Sequence, residues 1–214
     1  LFISFDEWGV WSMADKEVAA QVDEKPWQIA PRISEQIYSL EDSLLFASMM
    51  MNFLKYSDRI KIACQSLLTN ISAAIMTKQG GEVWVQPIFY PFSYMSRYGR
   101  GQTLQSVLDC PTYDAQEFRQ VPFIDSVAVY DRDRSEIAVF LVNRSEDETI
   151  PFDIQLEDFG AGTPVQHIEL TSQDKKATNQ YRHDTVVPRE RKDLTSDPTN
   201  HTVTCELTPL SWNM

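Results

Sequence analysis

The chain has 214 residues, 43% hydrophobic and 11% aromatic, with 31 acidic against 19 basic side chains and a formal net charge of -12. That apolar content suffices for one large domain or two smaller ones and excludes a disordered chain. The acidic balance argues against nucleic acid as a partner, because a phosphate backbone is bound by basic patches that release its counterions.

The chain opens on a short apolar run, Leu1 to Phe5 (LFISF), which reads as a buried strand, and passes directly into Asp6, Glu7 and Trp8. Leaving a core strand into acid and tryptophan is how a chain enters a polar site, and in α/β barrels catalytic groups sit at the C-terminal ends of strands. The plainer alternative is that Asp6 and Glu7 only open a loop or cap a helix. No basic stretch followed by a long apolar run stands at the N-terminus, so no signal peptide is expected and the location reads as cytoplasmic. Ser39 to Asp42 (SLED) has the form of a capping box, and a helix from about Leu40 to Tyr56 follows, with Leu44, Leu45, Ala47, Met50, Met51 and Leu54 as an apolar stripe suited to packing on a sheet. Its longest apolar run, Leu44 to Met51, falls far short of the roughly 20 residues of a membrane span. Ile60 to Cys64 (IKIAC) reads as a second strand, which makes strand, helix and strand a parallel βαβ unit.

Trp84 to Tyr98 is strongly aromatic, and a helix is expected from near Pro87, with Pro91 at a kink. Tyr98 to Gln102 (YGRGQ) reads as an exit linker whose two glycines supply unusual backbone angles. From Thr103 onward the pattern is all-β. Ser126 to Tyr130 and Ile137 to Val142 flank a polar loop as a hairpin; further strands are expected at Phe152 to Leu156, Val165 to Leu170, Thr202 to Leu207 and Leu210 to Trp212, together a sandwich. Thr171 to Pro198 reads as a long polar loop. Cys64, Cys110 and Cys205 are odd in number and widely spaced, which fits buried thiols in a reducing compartment. His167, His183 and His201 lack metal-ligand spacing, and neither metal nor cofactor is expected. Asn143 to Ser145 and Asn200 to Thr202 match glycosylation sequons, but nothing else argues for a secretory route.

Read in order, SFDEWGVW (Ser4 to Trp11), YSLEDSLL (Tyr38 to Leu45), DRIKIAC (Asp58 to Cys64) with Asn70, IMT (Ile75 to Thr77), FYPF (Phe89 to Phe92), SRYGRG (Ser96 to Gly101) and LSWN (Leu210 to Asn213) resemble glycoside hydrolase family 51, best known for α-L-arabinofuranosidases. The resemblance implies an α/β plus all-β chain: strands seven and eight of a (β/α)8 TIM barrel with their helices over 1–100, then a β-sandwich or jelly-roll domain over 101–214. It implies that Glu7 is the nucleophile of a retaining reaction, a role that needs a second carboxyl about 5 to 5.5 Å away as acid/base. In the family that glutamate follows strand four in an asparagine-glutamate pair, and no such pair occurs in these residues. A companion polypeptide carrying the earlier strands and the acid/base is therefore expected, as is a homo-oligomer, a hexamer by resemblance.

Trp11 matches a tryptophan bordering the sugar pocket. The family usually has asparagine where Gly9 stands, and a sugar-contacting glutamine at the position of Leu67; Gln65, two residues earlier, would project on the same side in extended chain. The implied substrate is an arabinose-containing oligosaccharide, with terminal arabinofuranose removed from arabinoxylan or arabinan. Gly9 and Leu67 leave a related xylosidase or β-glucanase as the alternative, and the missing acid/base leaves a non-catalytic structural or carbohydrate-binding fragment.

Overall fold

The computed structural model describes residues 1–11, 27, 29, 35–157, 159, 160 and 162–214. Strand β1 (Ile3–Trp8) and helix α1 (Leu40–Lys55) lead to β2 (Ile60–Gln65), which pairs with β1 in parallel, as the βαβ pattern predicts. The hairpin of β3 (Ile75–Lys78) and β4 (Glu82–Val85) precedes helix α2 (Phe89–Tyr98). Then come β5 (Gln102–Leu104), the hairpin of β6 (Thr112–Ala115) and β7 (Phe118–Pro122), and the long hairpin of β8 (Ile124–Asp131) and β9 (Glu136–Asn143). The chain closes with β10 (Ile150–Gln155), β11 (His167–Leu170), β12 (Arg189–Arg191), β13 (Thr195–Asp197), β14 (Thr202–Leu207) and β15 (Ser211–Asn213).

Six of these strands form one sheet in the order β12-β11-β15-β9-β8-β5, and β10-β14-β13 form a second. Side chains alternate across a strand, and the alternation sorts the six-stranded sheet into two packed faces. Phe140 and Val142 of β9, Val127 and Val129 of β8, Ile168 and Leu170 of β11 and Trp212 of β15 cluster with Leu40, Leu44, Ala47 and Met51 of α1 and with Met95 of α2. Leu141 and Ile124 instead meet Ile150, Cys205 and Leu207 of the smaller sheet. The expected sandwich is present, six strands against three, and α1 covers its outer face.

Helix α1 also has a second apolar side. Phe46, with partly buried Met49, Met50 and Phe53, packs against Trp8, Tyr38, Ala74 and Ile88. Leu45, expected in the stripe, is 54% exposed, and Phe46 takes its place in a core. The capping box forms as its sequence predicts: Ser39 N–H donates to Asp42 Oδ2 (2.8 Å) and Asp42 N–H donates to Ser39 Oγ (3.4 Å). Two further first-turn donors find partners in the segment read as loop, Leu40 N–H on Ala177 O (3.0 Å) and Glu41 N–H on Lys175 O (2.9 Å). That segment is therefore not all loop. It also contributes the edge strands β12 and β13, which their charged and hydroxyl residues (RER, TSD) conceal from any apolar pattern.

Other expectations need correction. Helix α2 starts at Phe89 rather than Pro87, and Pro91 lies in its first turn, where a missing N–H breaks no helical bond and no kink is needed. Of the linker glycines, Gly101 has φ +121° and a Cβ there would collide with the Tyr130 carbonyl, whereas Gly99 has an ordinary φ of -80°. Cys64 is exposed and only Cys205 is fully buried. Asn143, first residue of a sequon, is buried with its amide donating to the carbonyls of Glu148, Leu207 and Thr208.

The sandwich interior is polar at one end. His167 and Glu169 lie on the face of β11 opposite Ile168 and Leu170. His167 Nδ1 is 2.8 Å from Asp193 Oδ1 and its Nε2 is 3.0 Å from Asn213 Oδ1, while Arg191 bonds Glu169 (2.9 Å) and Asp193 (3.2 Å). Every member is partnered, as buried polar groups require.

Candidate active site

Strand β1 runs one residue further than Asp6-Glu7, so both acids lie at its C-terminal end, beside the C-terminal end of β2. The pairing brings Trp8 opposite Gln65, with an irregularity in register between Phe5 and Trp8. Trp8 is only 3% exposed and locks the strand end against α1, its ring 4.5 Å from Phe46 and 4.9 Å from Phe53. Its neighbour Glu7 consequently projects to the other side of the strand, where it is exposed.

The carboxylate is held there. Ser66 Oγ, one residue past β2, donates to Glu7 Oε1 at 2.7 Å. Gln65 Nε2 donates to the backbone carbonyl of Ser72 at 3.2 Å, and Trp11 Nε1 donates to Ser72 Oγ at 3.0 Å. The three candidate residues Glu7, Trp11 and Gln65 are thus gathered by the two strand ends and by the 66–74 loop that follows β2. Leu67 lies beyond the end of β2 and is exposed, so it and Gln65 do not share a strand face. Gly9 has room for a side chain: a Cβ there would meet Trp11 at an ordinary 3.5 Å.

The loop is rigidly specified. Asn70 and Ser72 both take left-handed backbone angles, φ +64° and +47°, which cost energy for residues other than glycine. Asn70 Oδ1 accepts the Thr77 N–H at 2.7 Å, and Asn70 N–H donates to Ile75 O at 2.8 Å, tying the loop to β3. Behind it lies Gln86, 1% exposed, which joins three segments at once. Its Oε1 accepts Tyr38 N–H (2.8 Å), its Nε2 donates to Gln36 O (3.0 Å) and Ala73 O (2.8 Å), and its own N–H donates to Ala74 O (2.9 Å). Beside this amide, burial pushes the Tyr38 phenol up to about 12, so it remains a neutral structural group at any working pH. Sequence patterns give no signal for Ser66, Ser72 or Gln86, since a loop serine and a lone glutamine carry no period or motif.

Leu1, Phe2, Ile3, Phe5 and Ile62 are exposed on β1, β2 and the residue pair before β1, so the expected buried strand is uncovered here. Among the described residues β1 has one strand neighbour, β2, and its other edge is unpaired. No described helix is long and apolar enough to cross a membrane.

Comparison with known proteins gives these observations a family. Residues 6–211 match the model of the alpha-L-arabinofuranosidase C-terminal domain. An intracellular exo-alpha-(1->5)-L-arabinofuranosidase of Bacillus subtilis (strain 168) is 41% identical over 215 residues, covering 99% of this chain and 41% of the relative. An exo-alpha-(1->6)-L-arabinofuranosidase of Bifidobacterium longum is 37% identical, again over 99% of this chain and 41% of the relative. Among solved structures, a family 51 alpha-L-arabinofuranosidase from Bifidobacterium longum superposes with a TM-score of 0.87 at 30% identity, over 100% of this chain and 41% of that one. An alpha-L-arabinofuranosidase from Thermotoga maritima, at 19% identity, shares the fold with a TM-score of 0.78 over 99% of this chain and 42% of that one. The chain spans about two fifths of the length of the curated relatives it matches. It belongs to the glycoside hydrolase family 51 arabinofuranosidases, whose C-terminal portion it represents.

Proposed function

We propose that this chain supplies the nucleophile-bearing side of a retaining α-L-arabinofuranosidase, with Glu7 as the nucleophile. The observation that carries the reading is the carboxylate at a parallel strand's C-terminal end, hydrogen-bonded by Ser66, with Trp11 and Gln65 both tied to Ser72 of the loop that Ser66 opens. In this reading β1 and β2 are strands seven and eight of a (β/α)8 barrel within 1–100, and 101–214 is the sandwich domain. The exposed apolar residues of β1 and β2 support it, because strands of a closed parallel barrel are apolar on both faces and paired on both edges.

The chemistry runs in two displacements. Glu7, ionised, attacks the anomeric carbon through the oxygen that Ser66 leaves free. A second carboxylic acid, from barrel segments outside this chain, protonates the departing glycosidic oxygen. Water then hydrolyses the glycosyl-enzyme ester, its proton taken by the same partner acid, now ionised, and Glu7 is regenerated as the carboxylate. The exposed face of Trp11 offers apolar contact to the furanose ring, and Gln65 offers hydrogen bonds to its hydroxyls. The substrate class is an oligosaccharide ending in arabinofuranose, the cellular location cytoplasmic, and the assembly a homo-oligomer completed by the companion barrel strands.

In the enzyme completed by those strands, Glu7→Ala abolishes covalent trapping by a mechanism-based furanosyl inhibitor; persistent labelling of the variant sinks the assignment. A second reading, a related glycosidase with a different sugar preference, rests on Gly9 and on the exposed Leu67 where a sugar-contacting glutamine is usual. A panel of nitrophenyl glycosides separates the two, with a preferred substrate other than the arabinofuranoside favouring the second.

A further inference from the structure

We infer that Ser72 is a positioning residue that fixes both sugar-contacting groups, the Trp11 indole through its hydroxyl and the Gln65 amide through its carbonyl. The inference rests on the reading of Trp11 and Gln65 as substrate contacts. Two hydrogen bonds from two different chain segments converge on this one residue, Trp11 Nε1 on Oγ at 3.0 Å and Gln65 Nε2 on the carbonyl oxygen at 3.2 Å. Trp11 comes from the segment after β1 and Gln65 from the end of β2, 54 positions later in sequence.

The partners differ in exposure. Ser72 is 4% exposed and Trp11 is 48% exposed. An indole on the surface ordinarily rotates freely, and ordering it on binding costs side-chain entropy. Anchoring the N–H edge to a buried hydroxyl removes that cost in advance and leaves the ring face to the ligand. The second bond determines which end of the Gln65 amide is engaged, so Oε1 is the end left to accept from a sugar hydroxyl.

Ser72 can do both because of its backbone. At φ +47° the residue turns its carbonyl and side chain toward different neighbours, an angle that few non-glycine residues adopt and that the surrounding bonds of Asn70 and Gln86 enforce. Loop placement and hydroxyl chemistry are therefore separable. Ser72→Gly keeps or relaxes the backbone angle and deletes only the hydroxyl.

The test uses that separation. In the 214-residue chain, Ser72→Gly should leave the protein folded while the Trp11 indole N–H loses its protection against hydrogen exchange. In the completed enzyme, with 4-nitrophenyl α-L-arabinofuranoside, KM should rise roughly five- to tenfold with kcat nearly constant, the size of one lost hydrogen bond made equally in ground and transition states. Trp11→Phe, which keeps a ring but deletes the donor, should raise KM similarly, and Ser72→Gly should add little on top of it. Undiminished indole protection, or a KM rise as large in the Trp11→Phe background as in the wild type, overturns the inference. So does a rise in KM for Trp11→Ala with none for Ser72→Gly. If Trp11→Ala leaves KM unaltered, the substrate-contact reading itself fails and takes the inference with it.

Discussion

The two strand pairs β1/β2 and β8/β9 are both apolar, yet they live in opposite circumstances. Phe140 and Trp212, on and beside β9, are fully buried between α1 and the sheet, and Leu141 on the other face of the same strand meets the smaller sheet. Phe2, just before β1, is 70% exposed and Ile62 of β2 is 55% exposed, although the opening run LFISF reads in sequence as a buried strand. Hydrophobicity alone therefore does not say whether a strand's partners are within the chain. The large sheet is covered on both faces, by α1 and by the smaller sheet, while the parallel pair is covered on the α1 side and open on the other.

The strongest way to break that contrast is to truncate one residue from each side. Phe140→Ala should cost about 3–5 kcal/mol, because a large buried ring leaves a cavity that the neighbours cannot fill. Phe5→Ala, on the half-exposed face of β1, should cost less than about 1 kcal/mol in the isolated chain. Urea unfolding midpoints compare the two; equal losses would show that the parallel pair is as well packed as the sandwich.

Gln86 probes the seam where the parallel pair meets the loop of the site. Gln86→Ala removes the side-chain partner of Tyr38 N–H and of the Ala73 carbonyl, at about 1–3 kcal/mol for a buried unsatisfied group. The thermal midpoint should fall, and amide exchange should quicken in 66–74 more than in β8/β9. Uniform quickening would mean that Gln86 supports the whole fold rather than the site loop.

Acid should act on the sandwich first. Burial of Asp193 opposes its ionisation, but hydrogen bonds from His167 and from the Glu206 N–H outweigh it and hold the carboxyl below the usual carboxylate range. A carboxyl depressed in the folded state contributes stability that is full above its unfolded value and is lost as pH falls toward the folded one. Stability should therefore decline as pH drops through and below the ordinary aspartate range, and Asp193→Asn should flatten that part of the profile. An unchanged acid limb in the variant would remove Asp193 as the cause.

The smallest effect is chemical. Cys205 is buried in the sandwich, where burial and the nearby Asp193 push its thiol up to about 11, and Cys64 is exposed on β2. Iodoacetamide on the native protein should modify Cys64 and spare Cys205. Labelling of both at equal rates would indicate that the sandwich opens as readily as the parallel pair.

The legible parts of this molecule are those that encode their partners locally. Ser39 and Asp42 cap α1 within four residues of each other, and the β8/β9 hairpin needs only alternation and an intervening polar loop. Strands β12 and β13 carry mostly charged or hydroxyl side chains because they pair along one edge only, and nothing in RER or TSD distinguishes them from loop. The site divides in the same way. Glu7 and Trp11 stand in one short segment and Gln65 at a strand end, so motif and spacing nominate them. Ser66, Ser72 and Gln86 acquire their contacts through the β1/β2 register and two left-handed loop residues, which exist only once the chain is folded.

Helix α1 gives this division an evolutionary meaning. Its Leu40, Leu44, Ala47 and Met51 complete the sandwich core, its Phe46 completes the Trp8 cluster, and Lys55 at its end pairs with buried Asp125 of β8 at 2.5 Å. A substitution on either side is felt by the same sixteen-residue helix. Recombination that exchanged the sandwich alone would have to bring a sheet matching both the helix's apolar face and its terminal lysine, so the two regions are expected to have been inherited together.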